Sequence, residues 1–174
     1  MTAANKISDI DVTISEPEWK ASHLDVETIA RAAMAHTIEM AKLPKQLRNR
    51  ELEVSIVLAN DDLIQVLNRT YRNMDKPTNV LSFAAIDADS PVPAGEPYPL
   101  GDIILSYQTL DREAKEQDKF FKDHFTHMIV HGTLHLLGYD HRTDDEANAM
   151  ESLEIRILQK MNIQNPYMDG ISMA

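Results

Sequence analysis

Residues 120–137, FFKDHFTHMIVHGTLHLL, narrow the choice of fold more than any other stretch of this 174-residue chain. Phe121, Phe125, Met128, Ile129 and Leu136 recur at helical spacing on one side, while Val130, Leu134 and Leu137 fall on others. A helix that is apolar all round has to be covered on every side, so it belongs at the centre of a domain. A chain of this length is about one domain and buries roughly two-thirds of its unfolded surface, enough to provide that cover.

The covering elements are legible on both sides of it. IDVTI (10–14) and LEVSIVLA (52–59) alternate apolar and polar residues and read as strands, as do NVLSFAAI (79–86) and GDIILSY (101–107). Helices are expected over 25–41, from Asp61 to a break before Pro77, over 109–118 and over 144–163, the last opened by a capping box of Thr143 and Glu146. Four strands and five or six helices mixed along one chain predict an α/β (α+β) fold with a small mixed sheet covered by helices. The expectation is one domain over 1–174, with flexible tails at 1–9 and 165–174. The Pro-rich connection between 87 and 100 has no evident structure of its own and is read as a substrate-side flap.

Composition then limits function. There is no cysteine, which excludes disulfides and thiolate metal sites and leaves His, Asp and Glu as ligands. The first residues lack a basic start followed by an apolar segment, and no apolar run approaches the ~20 residues of a membrane span, so a cytoplasmic place of action without membrane partners is expected. A net charge of −11 argues against a generic nucleic-acid binder, and DNA is not an expected partner. Local basic patches exist nonetheless: Lys42, Lys45, Arg48 and Arg50 in KLPKQLRNR, and Arg69, Arg72 and Lys76 in NRTYRNMDKP.

The chemistry concentrates in HGTLHLLGYDH, residues 131–141. His131 and His135 are four apart, so on a helix both imidazoles project from one face towards one ion. Gly138 can end the helix in a left-handed cap and turn the chain back, which brings His141 to the same point. Three nitrogens with an open fourth position describe a catalytic zinc site rather than a structural one, although a His₃ set also accepts nickel or copper. His127, one turn before His131, is expected to pack or to support a ligand. Asp140 is read either as a carboxylate supporting His141 or as a turn residue.

The spacing matches the long zinc-protease signature H-E-x-x-H-x-x-G-x-x-H except at Gly132, where the protease glutamate serves as general base. Losing that base forfeits a factor of ~10²–10⁴ in peptide hydrolysis. Glycine inside a helix also costs about 1 kcal/mol relative to alanine, so a reason for it is expected. Two linked reasons suggest themselves: room for a bulky group beside the metal, and removal of a carboxylate that would repel an anion. Both favour a phosphodiester substrate.

HGTLHLLGYDH closely resembles the H-G-x-L-H-L-x-G-Y-D-H signature of the YbeY family, the bacterial metal-dependent endoribonucleases of ribosomal RNA maturation. NRTYRNMDKPTNVLSF (68–83) resembles the family's N-x-x-Y-R-x-x-D-x-P-T-N/D-V-L-S-F segment, and GDIILS (101–106) its G-D-I-x-I/L-S strand. The resemblance implies a single α/β domain, a metal held by His131, His135 and His141, and a functional arginine at Arg72. It further implies processing of the 3′ end of small-subunit ribosomal RNA and ribosome quality control, with small-subunit components as partners. Two other readings of the histidine set stay open at this point: a zincin-like metallopeptidase, and a non-catalytic ribosome-assembly factor whose metal only holds the fold.

Overall fold

A computed structural model describes residues 6–87 and 91–167. Its sheet has four strands, β1 (Lys6–Ile14), β2 (Glu51–Ala59), β3 (Val80–Ala84) and β4 (Tyr98–Ser106), in the order β1-β2-β4-β3. β1 and β4 flank β2 in parallel, and β3 closes one edge antiparallel to β4. The mixed sheet is the one expected. Its order, set by contacts between distant segments, is a feature that local periodicity does not carry.

Six helices accompany it: α1 (Glu18–Ala21), α2 (Val26–Met40), α3 (Asp61–Arg72), α4 (Tyr107–Glu116), α5 (Phe121–Leu136) and α6 (Asp144–Lys160). α5 is the central helix, buried without a break from His124 to Val130 and again from Gly132 to Leu134. It packs on β3 and β4, with α2, α4 and α6 around it. On β2, Leu52, Val54, Ile56 and Leu58 belong to the main core with α5. The alternate face carries a smaller cluster in which Ile64 of α3 meets Ala59, Leu81 and Ile104. β4 therefore has apolar partners on both faces, which explains the run Ile103, Ile104 and Leu105, all buried.

Several boundaries differ from the expectation. β1 begins at Lys6, so the tail expected over 1–9 gives up its last four residues to pairing with β2, starting at Lys6 opposite Glu51. β4 begins at Tyr98, because Tyr98 and Leu100 are buried and Tyr98 and Pro99 lie opposite Leu52 and Glu53 of β2, and the Pro-rich connection is shorter by those residues. What is described of that connection is pinned: the Arg50 guanidinium donates to the carbonyls of Val92, Pro93 and Glu96 at 2.7–3.2 Å. At the other end, residues 165–167 are not a loose tail, since the Tyr167 hydroxyl bonds into the core; residues 168–174 lie outside those described. Short α1 had no periodic signal to announce it, and buries Trp19, whose indole donates to the Ala59 carbonyl at 3.0 Å. Among the described residues no helix is long and apolar enough to cross a membrane.

Candidate metal centre

The C-terminal end of α5 builds the site. Gly138, at φ +100°, takes the left-handed conformation that a side chain would penalise. Its N–H donates to the His135 carbonyl and the Tyr139 N–H to the Leu134 carbonyl, each at 3.0 Å. These two bonds make a Schellman motif, satisfying the last helical carbonyls while reversing the chain. The reversal brings His141 back, as the spacing predicted: its ring centroid lies 5.1 Å from that of His135 and 6.0 Å from that of His131. One nitrogen from each of the three rings lies within 4.8 Å of the others.

Hydrogen bonds set which nitrogen each ring presents. His135 Nδ1 is 2.9 Å from the Tyr139 carbonyl, which can only accept, so Nδ1 carries the proton and Nε2 a lone pair. His131 Nδ1 is 3.2 Å from Glu154 Oε1, which fixes the same tautomer there. The two Nε2 atoms then face each other at 3.1 Å. Two lone pairs aimed at one point repel unless a cation lies between them, and tetrahedral Zn²⁺ would set two such nitrogens about 3.3 Å apart. The donor set therefore fits a bound metal. Burial and the neighbouring His131 push His135 down to about 4, which keeps its lone pair free at neutral pH.

Glu154, on α6, had not been foreseen. It is fully buried, and its Oε1 accepts from His127 Nε2 at 2.7 Å, from the Tyr167 hydroxyl at 3.1 Å and from His131. Burial alone would raise this carboxyl, but the bonds from His127 and His131 outweigh it and hold the group down to about 2. Burial lowers the pKa of His127, so that ring is neutral and its proton sits on Nε2, facing the carboxylate. His127 thus supports the site from outside it. A signal was available: Glu154 sits among Met150, Leu153, Ile157 and Leu158, a charge inside an apolar helical stripe.

A pocket of about 660 Å³ opens over the histidines, with Arg72 in its wall. Arg72 ends α3, where Asn73 caps the helix at φ 56°. Its Nη2 donates to the Ser82 carbonyl at 3.0 Å and its guanidinium lies 4.9 Å from the centre of the Phe83 ring. Those contacts aim the group while leaving other N–H donors for a ligand. Arg69 and Lys76, grouped with it in the sequence, do not line this pocket, and Arg69 instead pairs with Asp75 at 3.6 Å. Asp140 is a turn residue: one oxygen accepts from the His141 N–H and the other pairs with Arg142, both at 2.8 Å. None of the described residues of the Pro-rich connection lines the pocket.

Gly132 has a packing reason that the sequence did not show. A Cβ there would lie 3.0 Å from Ser82 Oγ and 3.2 Å from Ile103 Cγ2, on the sheet. Close approach of α5 to β3 and β4 leaves a side chain there little room, and the Ser82 hydroxyl donates to the Gly132 carbonyl at 3.3 Å. Packing against the sheet is thus one physical reason for a glycine at this position.

A profile of the family described as Endoribonuclease YbeY matches residues 12–162. The Endoribonuclease YbeY of Paramagnetospirillum magneticum is 46% identical over 91% of this chain and 95% of its own length. The chain belongs to the YbeY endoribonuclease family. Further YbeY relatives agree: that of Bartonella bacilliformis is 48% identical over 91% of this chain and 96% of its own, and that of Magnetococcus marinus 58% identical over 67% and 84%. A solution structure from Thermotoga maritima superimposes with a TM-score of 0.51, covering 88% of this chain and 91% of that one, at 20% identity. At that identity it bears on the YbeY fold alone.

Proposed function

We propose that this YbeY chain, acting as a single domain in the cytoplasm, is a zinc-dependent endoribonuclease that cleaves single-stranded RNA in maturing the 3′ end of small-subunit ribosomal RNA. Family membership supplies the endoribonuclease class. The observation that carries the reading is the convergence of His131, His135 and His141 beneath a pocket whose wall offers an arginine and no free carboxylate. A peptidase needs a general base beside its metal. The one carboxylate lining the pocket, Asp140, is engaged by Arg142 and by the His141 N–H, and Gly132 faces the sheet.

Zinc bound by the three histidines would polarise a phosphoryl oxygen and lower the pKa of a coordinated water to about 7. Arg72, steadied by the Ser82 carbonyl and the Phe83 ring, binds non-bridging phosphate oxygens and stabilises charge that develops on them. Glu154 and the Tyr139 carbonyl hold the two helical imidazoles in the ligating tautomer and orientation. Components of the small subunit present the RNA, since a chain of −11 attracts it poorly on its own.

Metal analysis of the purified protein, combined with cleavage of a precursor small-subunit RNA by wild type, His135→Ala and Arg72→Glu, tests this reading. Both variants should fold and lose cleavage. A His135→Ala protein that unfolds would favour a metal that only holds the fold, and a wild type that cleaves peptides instead of RNA would refute the assignment. Product ends identify the nucleophile: a 2′,3′-cyclic phosphate marks attack by the RNA's own hydroxyl, a 5′-phosphate attack by water.

A further inference from the structure

The basic segment at 42–50 has no part in the site described so far. It joins α2 to β2 and is anchored by Leu47, which is fully buried, while Lys42, Lys45 and Arg48 stay exposed. The Arg48 Nε donates to the Leu43 carbonyl at 3.1 Å, folding the segment back on itself. The Lys42 N–H donates to the Tyr139 hydroxyl at 2.9 Å, a bond between residues 97 apart in sequence. That bond fixes the segment to the turn that carries His141.

Between the two lies a second pocket of about 520 Å³. Leu43, Pro44, Leu137 and Ala149 contribute apolar surface to it, and Lys42 and Arg48 stand in its wall. It shares Gly138, Tyr139 and Asp140 with the pocket over the histidines, so one three-residue turn borders both pockets. Among the described residues Lys42, Lys45 and Arg48 form no ion pair, whereas Arg31, Arg69, Arg112, Lys115 and Arg142 each do. Three cations within seven residues, with no acid between them, make a local basic patch in a chain with 17 basic and 28 acidic residues.

Resting on the endoribonuclease reading, we infer that the pocket between Lys42, Arg48 and Tyr139 is a subsite for the single-stranded RNA flanking the cleaved phosphodiester. Apolar surface beside exposed cations is the combination that receives an unstacked base and its phosphates. Charge also sets the path of the strand. The first turn of α6 presents Asp144, Asp145 and Glu146, with Glu146 in the pocket wall, so the phosphates run along the Lys42–Arg48 side. The strand thereby meets cationic contacts in both adjoining pockets, Arg72 in the one over the histidines and Lys42 with Arg48 in the other.

Binding of a fluorescent, 2′-O-methylated 12-nucleotide RNA to the metal-loaded protein, followed by anisotropy from 50 to 300 mM salt, tests this. Two lost phosphate contacts flatten the slope of log affinity against log salt by about 1.4, a loss of roughly tenfold in affinity at 0.15 M. Lys42→Ala/Arg48→Ala should show both effects and should raise KM for single-stranded RNA with kcat unchanged. Lys122→Ala/Lys160→Ala, which removes the same charge from the start of α5 and the end of α6, should show neither. If wild type binds and the Lys42/Arg48 variant matches it in affinity and slope, the subsite is refuted while the endoribonuclease reading stands, and the patch is left to an acidic protein surface. Equal losses in both double variants refute it too, because net charge would then be the cause. A wild type that neither binds nor cleaves RNA overturns both.

Discussion

Replacing Glu154 by Gln keeps the shape of a fully buried side chain and removes only its charge. In the native protein one oxygen accepts from two imidazoles and a phenol, at 2.7, 3.2 and 3.1 Å. Hydrogen bonds to a charged partner contribute about 1.5–3 kcal/mol against 0.5–1.5 for neutral ones, so weakening the two imidazole bonds costs about 2 kcal/mol. Oε2 has no hydrogen-bond partner, and an amide nitrogen in its place would bury two unsatisfied donors at about 1–3 kcal/mol more. The sum, about 3–5 kcal/mol, is a large share of the roughly 5–15 kcal/mol that holds a domain together. His131 also loses the group that sets its tautomer, which typically costs 10–100-fold in metal affinity. Urea unfolding of the metal-free protein gives the first quantity, and competition for Zn²⁺ with a chromophoric chelator gives the second. A Glu154→Gln protein with the wild-type urea midpoint and wild-type zinc affinity would refute the account of this carboxylate.

Gly132→Glu should lower the thermal midpoint through overpacking against Ser82 and Ile103, at about 1–3 kcal/mol or more, without conferring peptidase activity; an unchanged midpoint would remove the packing explanation. Arg72→Lys keeps the charge but not the planar fork, so kcat on RNA should fall about 10²–10³-fold with folding intact by circular dichroism, and wild-type turnover would exclude a bidentate role. Glu113 supplies a pH signature: burial would raise its pKa, but hydrogen bonds from His124 and Asn79 hold it below 4.5. A depressed carboxylate stabilises the fold above its unfolded pKa and loses that contribution as pH falls through the folded value. The urea-midpoint difference between wild type and Glu113→Gln should therefore be constant near neutrality and shrink below pH 4.5. Tyr167→Phe removes one donor to Glu154 and should lower stability by about 1 kcal/mol, read by the same urea titration.

The clustering of the three histidines was legible because it is written within eleven consecutive residues: an i, i+4 pair and a glycine that turns the chain obey local rules. The support of that set was not. Glu154 approaches His131 from another helix 23 residues away, and Ser82 meets Gly132 across 50. Nothing in local periodicity reports such pairings. Gly132 illustrates the difference: read along the chain it stands where a catalytic glutamate would, and read across the helix–sheet interface it lies tight against Ser82 and Ile103. The strands suffered at their ends for a related reason, since Lys6 and Tyr98 are in strands because β2 extends alongside them, not because of their own residue types.

The three histidines that could hold an ion are unequally anchored. His131 and His135 ride on a buried helix with their far nitrogens tied down, whereas His141 is exposed and follows the turn. Opening that turn locally, at far less cost than unfolding α5, would drop the coordination from three nitrogens to two. The lifetime of an ion bound there would thus be set by a hinge of a few residues at Gly138, and a chelator should strip the metal-loaded protein at a rate that tracks the turn's excursions, independent of its melting temperature.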